Sequence, residues 1–246
     1  MMGVSGLFRH PLKSHGREAL DHVRLNQDQS MPFDRLWAVA HEAAKADGSE
    51  WAACQNFSRG SKAPKLMAIN ASLNEATQTL TLTHPERPDL TFRPDDDSAA
   101  FIDWVMPLVP SDRALPDRIL RLDGRGFTDS DFASVSLCSV ASHAEVEDIA
   151  QTPLSPLRWR GNIWFDGTAP WAEFDWVGRD IAIGGAVLQI QEPIVRCLAT
   201  TANPETGLRD VDTLAALKTM DHQHFGIYAR VIQTGDIAVG DKLELI

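Results

Sequence analysis

The residues of this 246-residue chain best suited to chemistry gather around one thiol. Cys197 sits in the run Glu192-Pro-Ile-Val-Arg-Cys-Leu-Ala-Thr-Thr-Ala-Asn-Pro-Glu-Thr-Gly207. Ile190, Ile194 and Val195 lead into it, Arg196 precedes it directly, and Thr200 and Thr201 follow before an Asn203-Pro204 turn that closes on Gly207. A thiol beside a fixed positive charge ionises more readily, which makes it a better nucleophile or metal ligand. On local chemistry alone the bland alternative stands beside this, because a free cysteine is often a small buried hydrophobe. The other two cysteines, Cys54 and Cys138, read as structural. Three widely spaced cysteines make neither a disulfide framework nor a zinc or iron-sulfur cluster, so any redox centre must be borrowed.

Charge narrows the field of partners. The net charge is −11, with 23 basic residues against 34 acidic ones, which argues against a nucleic-acid surface and against anionic lipid. Well-placed cations stand out on that background, since an anionic ligand would need a local positive pocket. Lys13, Arg35, Arg160 and Arg196 are the candidates. With 43% apolar residues the chain can fill a core. No apolar run approaches the roughly 18 residues of a membrane span, and the first ten residues lack a signal-peptide core, so a cytoplasmic protein is expected.

The elements that must position these residues are mostly strands. Residues 23–25, 36–40, 65–70 and 78–83 read as strands, the last with clean period-two alternation. Pro85, Pro88 and Pro94 break the pattern, and a helix is expected over 99–106, capped by the acidic residues 95–97 or Ser98 and ended by Pro107. The stretch 110–125 reads as a linker. In the second half, 134–138 and 159–165 read as strands, and Ser139 caps a helix over 140–150. Residues 180–183 and 186–190 around Gly184-Gly185 form a hairpin that delivers the chain to Cys197. Asp212 caps a short helix through Lys218, and 227–233 and 242–246 close the sheet around turns at Gly235-Asp236 and Gly240-Asp241. The expected fold is α+β and β-rich: an N-terminal β-barrel-like domain over residues 1–110 packed on a second β-barrel-like domain with a few short helices over 111–246.

Arg196-Cys197, Thr200-Thr201, Asn203-Pro204 and Thr206-Gly207 fall in the order found around the molybdenum-binding cysteine of MOSC-domain proteins, the molybdenum cofactor sulfurase C-terminal domain family. The chain resembles most closely the branch containing the amidoxime-reducing components and their bacterial relatives, in which an N-terminal β-barrel domain precedes the MOSC domain. His10-Pro-Leu-Lys13-Ser14 resembles the proline-x-lysine-serine strand end, where lysine and serine contact the pterin. Phe33-Asp34-Arg35-Leu36-Trp37 resembles the aspartate-arginine-aromatic strand. Arg158-Trp-Arg160-Gly161-Asn162 resembles the arginine-proline-asparagine segment, with Gly161 in place of proline. Ser139 and Ser142 follow the spaced serines at a helix start. Phe225-Gly226-Ile-Tyr228, with the chain's only tyrosine, then Gly235 and Val239-Gly240-Asp241, reproduce the closing motif.

The resemblance implies a molybdenum cofactor (molybdopterin) held through Cys197 as metal ligand and catalytic residue. Lys13, Ser14, Arg35, Ser139, Ser142, Arg160, Asn162, Arg196 and Tyr228 are then the cofactor contacts. It implies reduction of a small-molecule substrate of the N-hydroxylated class (amidoximes, hydroxylamines, N-hydroxylated bases), with electrons from a separate donor protein. The alternatives are a sulfur or cofactor carrier with a persulfide on Cys197, or a MOSC protein that binds a ligand without catalysis. Residues 54–62, Cys-Gln-Asn-Phe-Ser-Arg-Gly-Ser-Lys, depart from the threonine-alanine-arginine type of loop in the relatives, which leaves substrate preference open.

Overall fold

Alternation of small β-formers and glycine turns has produced one large sheet in the computed structural model, which describes residues 1–246. Its eight strands run in the order 243–245, 180–183, 186–195, 224–233, 135–139, 163–166, 3–9 and 18–20. All neighbours are antiparallel except Ile163–Asp166 beside Val135–Ser139. A parallel neighbour needs a crossover, and the helix Val140–Ala150 supplies it. Twenty buried apolar residues, among them Leu137, Phe165, Ile181, Leu188 and Val231, form the core packed against this sheet.

A second core of fifteen residues, including Trp37, Leu66, Leu80 and Phe101, lies under the antiparallel sheet of 70–74, 79–84 and 87–92, the helix Ser98–Val105 and the strand pair 37–41 with 116–121. The two bodies are interleaved along the chain. Gly3–Arg9 pairs with Ile163–Asp166 inside the large sheet, Glu18–Leu20 forms its edge, and His22–Leu25 makes a separate two-stranded sheet with Gly235–Ala238, so the first 25 residues pair with the C-terminal half. Pro116–Arg121 goes the other way and pairs with Trp37–His41. The fold class is the expected β-rich α+β, with the division between bodies less linear than a cut at residue 110.

Several local expectations need correction. Residues 65–70 are not one strand, since Pro64 starts a 3-10 turn over Pro64–Ala68 and pairing begins only at Asn70. Residues 110–125 are not a linker but contain the strand 116–121. Arg87–Phe92 is a strand despite Pro88, because it is an edge strand that has a neighbour on one side only. Residues 159–165 begin in a 3-10 turn over Pro156–Trp159, with the strand confined to Ile163–Asp166. Gly235–Ala238 is a strand where a turn was expected, and Gly3–Arg9 was not anticipated. Two of the three caps are as expected, since Ser139 Oγ accepts from Ser142 N at 3.3 Å and Asp212 Oδ1 accepts from Ala215 N at 2.9 Å, whereas Asp97 at the start of Ser98–Val105 makes no side-chain cap bond. No helix is long and apolar enough to cross a membrane.

Candidate functional site

The hairpin 180–183 and 186–195 does deliver Cys197 to a surface. The long strand ends at Val195, and Cys197 takes extended backbone as the cap of a 3-10 turn over Leu198–Thr201. Its carbonyl accepts from Thr200 N and Thr200 Oγ1, both at 3.1 Å, while the side chain stays exposed. Thr200 is tied to Thr213 Oγ1 at 2.7 Å, and Arg209 donates to Leu198 O and Thr201 Oγ1, so the loop bearing the thiol is held from both sides.

The loop is also clamped onto the N-terminal body. Arg17 donates to Pro204 O at 2.7 Å and Arg209 to Ser61 O at 2.9 Å. Gly207 has φ +70°, and a Cβ there would lie 2.5 Å from Lys65 Cα. The positive φ favours glycine, and the close approach leaves no room for a Cβ.

A cleft of about 170 Å³ opens between the two bodies at Cys197. Of the ten residues named from the sequence, seven wall it: Lys13, Ser14, Arg35, Arg160, Arg196, Cys197 and Tyr228. Ser14, Arg35 and Arg160 all have positive φ (64°, 52° and 51°), a conformation that costs non-glycine residues free energy and that clusters at functional sites. Arg35 is held by Asp34, which accepts from His10 N at 2.8 Å and meets His10 Nδ1 at 3.1 Å. Arg35 Nη2 donates to Arg160 O at 3.1 Å, so one guanidinium fixes the turn that carries the other. Lys13 Nζ donates to Phe127 O at 2.7 Å and to Asp129 Oδ1 at 2.5 Å.

The remaining three stand behind the walls. Asn162 is 2% exposed and spends its amide on the fold, accepting from Ser136 N and Oγ and donating to Phe8 O. It supports Ser136, which does line the cleft. Ser139 and Ser142 are fully buried at the helix start; Ser142 Oγ donates to the buried carboxyl of Glu173 and accepts from Trp171 N. None of the three is among the residues facing the cleft.

Arg196 is adjacent to Cys197 in sequence and lines the cleft, but its guanidinium is spent on the carbonyls behind the wall. Its guanidinium donates to Phe225 O at 2.8 Å and Trp159 O at 2.7 Å, lies 3.7 Å from Cys138 Sγ, and sits 5.7 Å from the ring centres of both Trp159 and Phe225. Gly226 makes room for it. At φ +73°, a Cβ there would fall 2.6 Å from Leu137 O, 3.0 Å from Cys138 Sγ and 3.3 Å from Arg196 Nη2. Gly226→Ala is expected to destabilise the fold by about 2 kcal/mol or more, from backbone strain and overpacking together. Urea denaturation checks this, and an unchanged midpoint would contradict the packing.

Electrostatics sets the cleft apart from the rest of this acidic chain. Six cationic side chains line it and one acid, Asp129. Arg158 is matched by both carboxylate oxygens of Asp210, at 2.7 and 2.8 Å. Arg160 has no such match. Its Nη2 donates to Gly16 O at 3.1 Å, and its Nη1 is buried without a partner. Burial first, then the charges of Arg35 and Arg17, pull the Arg160 guanidinium down to about 9. An orphaned guanidinium nitrogen among like charges is an arrangement that a bound anion would complete. Burial, followed by the nearby Asp129 charge, pushes the Tyr228 phenol well above its usual range, so at neutral pH it remains a donor.

Two buried histidines sit under the Lys13 and Arg35 walls. Burial first, with Arg160 also opposing a second positive charge, lowers His10 to about 3 and His15 to about 4. Both are neutral in the folded protein and take up protons on unfolding below about pH 6.5. Their contribution to stability is present above that pH and is lost as pH falls toward 4, at about 1.4 kcal/mol per pH unit per histidine. The urea midpoint should drop steeply between pH 7 and pH 5; a flat profile would contradict the buried neutral state.

The other thiols divide. Cys138 is fully buried, and burial raises its thiol to about 11, as suits a packing residue. Cys54 is not merely structural in position: it lines the cleft, with Arg59 Nη1 at 3.1 Å from its sulfur. Arg59 and Asp129 also line the cleft and were not anticipated. Arg59 lies within the departing segment 54–62, which was the only available signal. No group of three or more His, Cys, Asp and Glu side chains converges as a metal-binding cluster.

Comparison with known proteins fits this picture. The model of the MOSC N-terminal beta barrel domain matches residues 1–104, and that of the MOSC domain matches 125–244. The protein named mitochondrial amidoxime-reducing component 1 of Mus musculus is 28% identical over 131 residues, and that of Xenopus laevis is 31% identical over 126. These stretches cover 47% and 46% of this chain but only 38% and 36% of the relatives. The crystal structure of the YUAD protein from Bacillus subtilis aligns over 100% of this chain and 96% of that one, with a TM-score of 0.49 at 13% identity. That of YiiM from Geobacillus stearothermophilus aligns over 46% and 53%, with a TM-score of 0.36 at 23% identity. The two domain models together account for nearly the whole chain, which belongs to the MOSC family and carries the MOSC N-terminal β-barrel domain ahead of its MOSC domain.

Proposed function

We propose that this protein binds a molybdenum-pterin cofactor in the cleft at Cys197 and reduces N-hydroxylated compounds such as amidoximes, hydroxylamines and N-hydroxylated bases. The observation that carries the reading is the pairing of an exposed thiol with a wall of six cations and one acid, centred on the unpartnered Nη1 of Arg160. The similarity to the mitochondrial amidoxime-reducing component 1 of mouse and frog supports the amidoxime part of this reading. A sulfur-carrier role would use Cys197 alone and leaves the wall without a purpose.

In this reading Cys197 supplies a soft sulfur ligand, while Lys13, Ser14, Arg35 and Arg160 hold the anionic end of the pterin. The bound cofactor supplies the two-electron, oxygen-accepting chemistry, with electrons from a separate donor protein. The overall reduction consumes two electrons and two protons and releases water. Tyr228, kept as the neutral phenol, is placed to donate a hydrogen bond or a proton within the cleft. Asp129 steadies Lys13 without cancelling the wall, since Arg35 and Arg160 remain beside it.

The test is turnover of benzamidoxime with reduced methyl viologen as artificial electron donor. Protein from a host that makes the cofactor should consume the amidoxime and form the amidine, and protein from a host that cannot should be inert. No turnover by metal-loaded protein would remove the reductase assignment.

A further inference from the structure

A second cavity, of about 180 Å³, shares Arg59 with the cleft. Apart from His41, at the end of the strand 37–41, its walls come from two stretches that the proposed chemistry does not use. One is the departing segment, which contributes Phe57, Ser58, Lys62 and Ala63. The other is the chain just before the strand 116–121, which contributes Val109 and Arg113.

The charged lining is one-sided. Arg59, Lys62 and Arg113 face the cavity together with His41, and no Asp or Glu does. The Arg59 guanidinium meets the sulfur of Cys54 and no carboxylate. Arg113 has only the exposed Asp112 at 3.6 Å, a weak pair. Glu42, which follows the strand 37–41, accepts from Leu115 N at 3.3 Å and does not line the pocket. Ser58 is 7% exposed, its backbone N–H is spent on Val39 O, and its Oγ has no partner. A buried hydroxyl without a partner is a group waiting for one. Phe57, Ala63 and Val109 add an apolar surface beside the cations.

In a chain of net charge −11, three cations around an acid-free pocket are not what composition alone delivers. We infer that this pocket binds an organic anion, a carboxylate or phosphate monoester on a compact apolar body, at a site separate from the Cys197 cleft. The cations take the charged head, Ser58 offers a hydroxyl, and Phe57 and Val109 cover the body. The inference stands whether or not the cleft holds a cofactor.

Isothermal titration with phenyl phosphate, repeated with benzoate, tests it. The parent should bind saturably. The variant Lys62→Glu/Arg113→Glu, whose changes lie outside the cleft, should bind at least roughly ten-fold more weakly, whereas Arg160→Met, which removes a cation only from the cleft, should bind like the parent. Binding lost in Arg160→Met and kept in the double variant would place the anion in the cleft and overturn the proposal, as would absence of saturable binding in the parent. A second measurement needs no variant. Saturating phenyl phosphate should slow acetylation of Lys62, read by mass spectrometry, relative to the exposed Lys218 outside the pocket. Equal rates at Lys62 with and without the anion would also overturn it.

Discussion

Replacing Cys197 by alanine is expected to strip molybdenum from the protein and reduce turnover of N-hydroxylated substrates by at least about 100-fold, since even changing a residue that only hydrogen-bonds to a metal ligand commonly costs 10- to 100-fold. Stability should stay within about 0.5 kcal/mol of the parent, because the side chain is exposed and donates to nothing the loop depends on. The loop is instead held by Thr200, Arg209 and the Arg17 contact to Pro204. Metal analysis and urea denaturation on the same sample separate the two effects. Cys138→Ala is the control, and it should show the converse: loss of stability from a cavity under Arg196, with the metal retained. Full molybdenum in Cys197→Ala would mean that the ligand is another group.

Arg160→Met is expected to move binding and stability apart. The guanidinium is buried beside Arg35 and Arg17, and its Nη1 has no partner, so in the cofactor-free protein its charge is a burden. Methionine keeps the apolar stem and removes the charge, and the cofactor-free variant should be at least as stable as the parent. Under the proposed function the same change would remove charge-assisted hydrogen bonds to the cofactor's anionic end, each worth about 1.5–3 kcal/mol, so retention of the cofactor should fall about 10- to 100-fold. Cofactor release during dilution and dialysis, read by metal content over time, checks the second effect. Loss of stability without loss of cofactor would make Arg160 a structural residue.

The parts of the fold written in local chemistry were readable from sequence. Gly184-Gly185 marks a hairpin because tight turns need positive φ, and Ser139 and Asp212 mark helix starts because a short oxygen side chain meets a free N–H. What depended on distant partners was not readable. Arg87–Phe92 carries a proline that only an edge position tolerates, and edge status is a property of the finished sheet. The strand 116–121 sits in a stretch that looks polar because its partner, 37–41, supplies most of the buried surface of the pair.

The site divides in the same way. Lys13, Arg35, Arg160, Cys197 and Tyr228 lie in ordered motifs, and five separate stretches of chain bring them to one cleft. The direction of a side chain is another matter. Arg196 is next to Cys197 along the chain, yet the extended backbone sends it into the core against Trp159 and Phe225. Asn162 and the serine pair occupy motif positions but have their polar atoms consumed by Ser136, Phe8 and Glu173. Cys54 and Arg59 belong to a segment without a recognisable pattern, and only tertiary packing shows that they reach the cleft.

The central claim is that the cleft at Cys197 holds a molybdenum-pterin cofactor. Elemental analysis of the parent protein, purified in parallel from a host able to make that cofactor and from one that cannot, tests it most directly. The account predicts close to one molybdenum per chain in the first sample and none in the second. Metal-free protein from both hosts, in a correctly folded state, would contradict it.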